Sequence, residues 1–172
     1  NQFYFTLSQP SKVKVLSIND QSEDNILNSL FNNPIFDYKS IKLKKINPDV
    51  IGDSDIIILN ELNNIPSLLS ESLTNFSKNN GFLIFIPSLS IKKLSSYNRF
   101  FKNYNLKMTD LIDLPEEMTT INFNHNLFKG VFKKPTSNFN YPKFNSHYII
   151  TGDKKESILK FNSGDDLLIS KN

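Results

Sequence analysis

The sequence predicts an α/β fold: a three-layer sandwich with a mainly parallel central sheet, plus extra β structure in the C-terminal third. Three observations carry that prediction. Two short apolar runs, residues 55–60 and 82–86, are bracketed by polar residues, as strands are when helices cover both faces of a sheet. Stretches with helical periodicity stand between and after them, joined by short links, which requires parallel strands and crossovers. After Leu106 the helical period gives way to loose alternation.

Taken in order, residues 3–7 (Phe-Tyr-Phe-Thr-Leu) read as a first strand, followed by a turn through Pro10. Val13, Val15, Leu16 and Ile18 form a buried strand that ends at Asn19-Asp20. The helix after it has Asp20 or Ser22 as N-cap, Glu23 and Asp24 in its first turn, and an apolar face of Ile26, Leu27, Leu30 and Phe31. Residues 36–43 alternate as a strand. Pro66 opens a helix whose inward face is Ile65, Leu69, Leu73 and Phe76, and Asn79-Asn80-Gly81 closes it with a left-handed cap. Leu59 and Ile84 are expected in the core of adjacent central strands. Ile91, Leu94, Tyr97 or Asn98, Phe101 and Tyr104 mark a further helix. In the last third, residues 106–112, 118–123, 139–150 and 157–161 read as strands, 124–134 as a loop with one helical turn, and 162–165 as a hairpin turn into 167–169. No linker-like tract interrupts the chain, so residues 1–172 read as a single α/β domain.

Composition narrows the chemistry. The chain has no Cys, which excludes disulfides, Cys-ligated zinc, iron–sulfur clusters and thiol nucleophiles. Two His exclude a His-rich metal site, and Arg99 is the one Arg, so a nucleic-acid partner is not expected. Asn, Ile, Lys and Phe are abundant, a bias that follows A- and T-rich codons and leaves the net charge of +3 uninformative. Glycines are isolated, so no phosphate-cradling loop is expected, and no metal or cofactor is expected either. No run approaches the roughly 18 apolar residues of a membrane span. The opening at Asn1, with no initiator Met, suggests a piece excised from a longer protein.

In open α/β sheets ligands gather outside the carboxyl ends of the strands. That rule selects Asn19, Asp20, Asn60, Glu61 and Ser88 as ligand-binding candidates. Ser88 stands between a strand and a helix, where a nucleophile elbow sits, but Pro87 and Leu89 replace the small residues an elbow needs. Its simpler role is to cap the next helix, a role Ser90 also fits. Glu61 has the chemistry of a general acid or base and Asn60 that of an oxyanion donor, while both also suit a loop that leads into Pro66. His125, in an Asn-rich loop, is the candidate base for Ser88; otherwise it is a hydrogen-bonded loop residue. His147 is expected on the surface. Asp165-Asp166 belong to a turn, since the alternating ligands of a calcium loop are missing. The Lys42/Lys44/Lys45 and Lys133/Lys134 groups read as solvated faces.

The run Asp55-Ile56-Ile57-Ile58-Leu59-Asn60-Glu61-Leu62, with Ile65-Pro66 and Asn80-Gly81-Phe82-Leu83-Ile84-Phe85-Ile86-Pro87, resembles the central units of class I glutamine amidotransferase-like domains. His125-Asn126-Leu127-Phe128-Lys129-Gly130-Val131 is similar to the histidine loop of ThuA-like members. The whole chain looks like the middle portion of BatA-domain membrane proteins of Bacteroidetes, which carry a double-transmembrane N-terminal segment; residues 3–7, 13–18 and 139–142 fit that pattern. The resemblance implies a flavodoxin-like, class I amidotransferase-like fold. Active members place a Cys where this chain has Pro87-Ser88, and their His-x-Glu pair has no counterpart, so the resemblance implies the fold without the glutaminase activity.

The expectation is therefore a non-catalytic domain of a membrane-anchored cell-envelope protein, soluble and periplasmic. It binds a protein or small ligand, with other envelope proteins or flanking domains as partners and membrane attachment through segments outside this sequence. Two alternatives stand beside it. One is a serine hydrolase that uses Ser88 and His125. The other is a carbohydrate- or peptide-binding module, which requires at least two of Tyr97, Tyr104 and Tyr141 exposed in one groove.

Overall fold

A computed structural model of the chain describes residues 11–20, 25–91, 93–132 and 140–171. The chain divides into two compact units, Asn1–Ser88 and Leu89–Asn172. The strand expected over 3–7, the turn at Pro10, the Ser22 cap with Glu23 and Asp24, and Lys133 with Lys134 lie outside the described residues.

Unit 1 is built on a four-stranded sheet of β1 (Val13–Asn19), β2 (Phe36–Lys42), β3 (Ile56–Asn60) and β4 (Phe82–Ile86). Its order is β2-β1-β3-β4 and every pair is parallel. β1 and β3 are therefore interior, and their apolar residues are buried on both faces of the pleat. Val15 and Ile58 cluster with Leu27 on one face, flanked by Phe31, Phe36, Tyr38, Ile56 and Ile84. Leu16, Ile18, Ile57 and Leu59, at the alternate positions, are equally buried. The Phe31 ring stacks on Tyr38 at 5.4 Å and meets Phe36 edge-on at 5.0 Å, which anchors the chain between helix and strand.

Among the described residues this unit has three α-helices: α1 (Asn25–Leu30), α2 (Pro48–Gly52) and α3 (Ser67–Lys78). α3 follows its prediction: Leu69, Leu73 and Phe76 are buried, Pro66 is the N-cap residue, and Asn80 takes the left-handed turn at φ 66°. Gly81 is required there because a Cβ would lie 2.4 Å from the Phe76 ring. α2 is a helix the periodicity does not reveal. Its signal is local, with Pro48 at the first turn and the Asn47 side chain accepting the Asp49 N–H at 3.2 Å.

Unit 2 has a different construction. Helix α4 (Ser95–Phe101) packs against β5 (Leu106–Ile112). The Asn98 amide pairs with both backbone groups of Met108, at 2.7 and 2.9 Å, and so acts as a strand partner from the helix. β5 pairs antiparallel with β8 (His147–Gly152). A second antiparallel sheet runs β10 (Asp166–Lys171), β9 (Lys155–Phe161), β6 (Glu116–Ile121), β7 (Lys143–Phe144). Tyr97, Met108, Ile158 and Phe161 are almost wholly buried in this unit. Gly152 is needed where β8 meets the Asn105 carbonyl, since a Cβ would come within 2.2 Å of that oxygen.

The expected three-layer sandwich with a mainly parallel, flavodoxin-like sheet is thus overturned. Four described strands are parallel and confined to unit 1; the other six form antiparallel sheets. Helix α4 packs on the antiparallel strand β5 of its own unit. The layers are also thinner than predicted. α1 has six residues and buries Leu27 alone, leaving Ile26 80% and Leu30 64% exposed. Among the described residues β4 is an edge strand, with Phe82 and Ile86 exposed, and Ile84 is half-buried rather than central. An apolar run specifies a strand; it does not say whether one or two neighbours pair with it.

An acid–base pair ties unit 2 together. Lys155 Nζ lies 2.5 Å from Asp166 Oδ2 and 2.5 Å from the Ile150 carbonyl, linking β8, β9 and β10. Burial pushes the Asp166 carboxyl up, but the hydrogen bond and charge of Lys155 prevail and hold it below its ordinary value of 3.8. A depressed carboxyl contributes stability above its unfolded value and loses it as pH falls through the folded one.

Two predictions follow from these packing arrangements. Leu59→Ala should cost roughly 2–5 kcal/mol in urea unfolding, and Ile84→Ala should cost less; equal losses would contradict β4 as an edge. Asp166→Asn should destabilise by a constant amount between about pH 7 and pH 5, with the gap closing below 3.8. A gap that widens on acidification would contradict the pair.

Candidate functional site

The sheet order of unit 1 creates one point where consecutive connections diverge. β1 connects to β2 on one side and β3 connects to β4 on the other, so the connections part at the carboxyl ends of β1 and β3, where ligands gather in open sheets of this kind. The register puts Asn19 opposite Asn60, and Asn60 opposite Ile86. Because parallel partners point to the same face, Asn19 and Asn60 project together, one pleat beyond Ser17 and Ser40.

Asn19 is buried at 5% exposure, and its Nδ2 donates to Ser40 Oγ at 2.8 Å. Its Oδ1 is buried without a hydrogen-bond partner among the described residues, as is Ser17 Oγ on the same face. Asp20 accepts the Asn63 backbone N–H at 2.6 Å. Ser88 Oγ donates to Asn63 Oδ1 at 3.5 Å. Asn63 therefore joins the ends of β1, β3 and β4. Glu61 is exposed and sits in the left-handed region at φ 49°, with its N–H donating to the Ile86 carbonyl at 2.8 Å. A non-glycine residue in that region carries backbone strain, and such strain concentrates at functional loops.

The structure brings together Asn19, Asp20, Asn60, Glu61 and Ser88 at this edge, with Asn63, Ser40 and Ser17 added to the set. Ser17 was legible as a polar residue inside an apolar strand. Asn63 had no signal, because its role depends on loops meeting in space. Ser88 does not cap a helix: α4 begins at Ser95 with Leu94 in the cap position, so neither Ser88 nor Ser90 holds that place.

Both histidines belong to unit 2. His125 Nδ1 accepts the Leu127 N–H at 3.2 Å, which leaves the ring proton on Nε2, facing Ser170 Oγ at 2.9 Å and Glu156 at 3.2 Å. That tautomer pins the turn Asn126–Phe128 and gives the ring no free lone pair to act as a base for Ser88. His147 is buried at 7% exposure, contrary to the expected surface position. Strict alternation fails at the start of β8, where His147 and Tyr148 are both buried. Tyr97 is wholly buried, which removes it from any groove of exposed aromatic rings.

Two cavities lie at the opposite, amino edge of the sheet. The larger, about 390 Å³, is lined by residues including Ile51, Asp55, Asn75, Phe76, Asn79 and Gly81. The smaller includes Lys14, Asp37 and Asp53. No lining residue of either carries a buried polar atom that lacks a partner among the described residues. No protein-family model matches the chain, and no curated protein matches it.

Glu61 provides the test of strain at this edge. Glu61→Gly should leave stability unchanged or raise it by up to about 1 kcal/mol, while Glu61→Val should lower it by about 1–2 kcal/mol. Thermal unfolding of both variants checks this, and a glycine variant less stable than the valine one would remove the strain argument.

Proposed function

We propose that the chain acts by binding rather than by catalysis, with a small, uncharged polar ligand at the carboxyl edge of the parallel sheet. The observation that carries this reading is the Asn19 side chain, buried at the divergence of the connections with Oδ1 lacking a partner among the described residues. An unsatisfied buried acceptor costs on the order of 1–3 kcal/mol. A ligand hydroxyl or amide that donates to Oδ1 recovers that cost. Asp20 and Glu61 stand at the rim of the same edge and disfavour an anion.

The non-catalytic part of the proposal is supported by His125, whose tautomer serves its own turn. It is supported too by the absence of any Cys to serve as an amidotransferase nucleophile. In this reading the chain is the periplasmic part of a cell-envelope membrane protein, with flanking domains or other envelope proteins as partners. The resemblance of residues 55–87 and of the chain as a whole to BatA-domain proteins supports that placement.

The test is a ¹H–¹⁵N titration of the whole chain with glycerol, glucose and acetamide as probes. The expected result is a saturable shift of the Asn19, Asp20, Asn60, Glu61 and Asn63 amides by at least one probe, weakened about tenfold or more in Asn19→Leu. Shifts confined to the groove at Asn75 and Gly81, or no saturable shift with any probe, would overturn the reading.

A further inference from the structure

Unit 2 holds a cluster of metal-ligating groups outside the site described above. Glu116 opens β6, His147 opens β8, and Asp165 immediately precedes β10. Each offers one ligand atom, and these atoms lie within 4.8 Å of one another. From this we infer a site for a borderline divalent cation of the Zn²⁺ type, held by one imidazole and two carboxylates.

The state of His147 is the second observation. The ring is buried, tilted against Phe161 with centroids 4.3 Å apart, and its Nε2 lies 3.3 Å from Asp165 Oδ2. Its Nδ1 is buried without a partner among the described residues. The contrast with His125 is instructive. There a backbone N–H occupies Nδ1 and locks the proton on Nε2. At His147 no described donor occupies Nδ1, so the ring proton can pass from Nε2 to Nδ1, and the Nε2 lone pair becomes available to a cation with no net loss of a proton from the ring.

The carboxylates supply the charge. Ser163 Oγ lies 2.6 Å from Glu116 Oε2 and 3.3 Å from Asp165 Oδ2. The Ser163 hydroxyl proton serves Glu116 and the His147 ring proton faces Asp165, while no Lys or Arg among the described residues pairs with either carboxylate. A dication neutralises both. At bond lengths of about 2.1 Å, ligand atoms around a tetrahedral ion sit about 3.4 Å apart, a contraction within reach of carboxylate rotamer changes. The mixed nitrogen and oxygen set favours Zn²⁺ or Mn²⁺ over Ca²⁺ and Mg²⁺, which prefer oxygen throughout. Three protein donors leave at least one coordination position open.

With two His in the chain, the test is direct. ZnCl₂ is titrated into the full chain while the imidazole ¹⁵N resonances are followed, with calorimetry alongside. The expected result is one saturable site, a shift of the His147 Nε2 resonance, an unshifted His125, and a raised Tm. Glu116→Gln and Asp165→Asn, which preserve shape, should each weaken binding about tenfold or more, and His125→Gln should leave it unchanged. Absence of saturable binding would overturn the site. So would a shift of His125 alone, or affinity unchanged in both carboxylate variants.

Discussion

The interior position of β1 is the constraint on which unit 1 depends. With parallel neighbours on both sides, its backbone is committed to two ladders, and its last five residues are buried. A slip of one residue would turn Leu16 and Ile18 to the face of Val15 and reverse the packing of both sides. The same register decides where apolar packing ends on that face: it turns polar from Ser17, and Asn19 follows, level with Asn60 and bonded to Ser40. The candidate site is thus a consequence of sheet register rather than of any loop motif.

What the register delivers, the loops hold in place. Asn63 donates its backbone N–H to Asp20 and accepts from Ser88 through its side chain, so three strand ends share one residue. Glu61 turns left-handed to start that loop and still donates to the Ile86 carbonyl on the neighbouring strand. Unit 2 solves a comparable problem with side chains in place of loops. Asn98 pairs with β5, Lys155 with Asp166 binds three strands, and His125 pins a turn to β9 and β10.

Much of the local structure was legible in the sequence. The strands at 13–19, 36–42 and 56–60, the long helix after Pro66, and the hairpin at 162–165 follow from period, caps and turn residues. The position of Asn19, Asp20, Asn60, Glu61 and Ser88 at the carboxyl edge is legible because each directly follows an apolar strand. The layer architecture was not legible. Ile26 and Leu30 have the spacing of a buried face and are exposed, because helical period records what a helix can bury and not what is there to cover it. Phe82 to Ile86 reads like a central strand because nothing in its five residues encodes how many described strands pair with it. His147, Glu116 and Asp165 lie 18 to 49 positions apart, so only the antiparallel pairing brings them together.

The central claim is that Asn63 gathers the carboxyl ends of β1, β3 and β4 into one site. Amide hydrogen exchange at Asn63 tests it most directly. Its N–H is bonded to the Asp20 carboxylate, and both Asn63 and Asn64 are exposed, so the account predicts exchange markedly slower than at neighbouring Asn64, and faster exchange once Asp20 is replaced by Ala. Exchange at Asn63 as fast as at Asn64, unaltered by Asp20→Ala, would contradict the account.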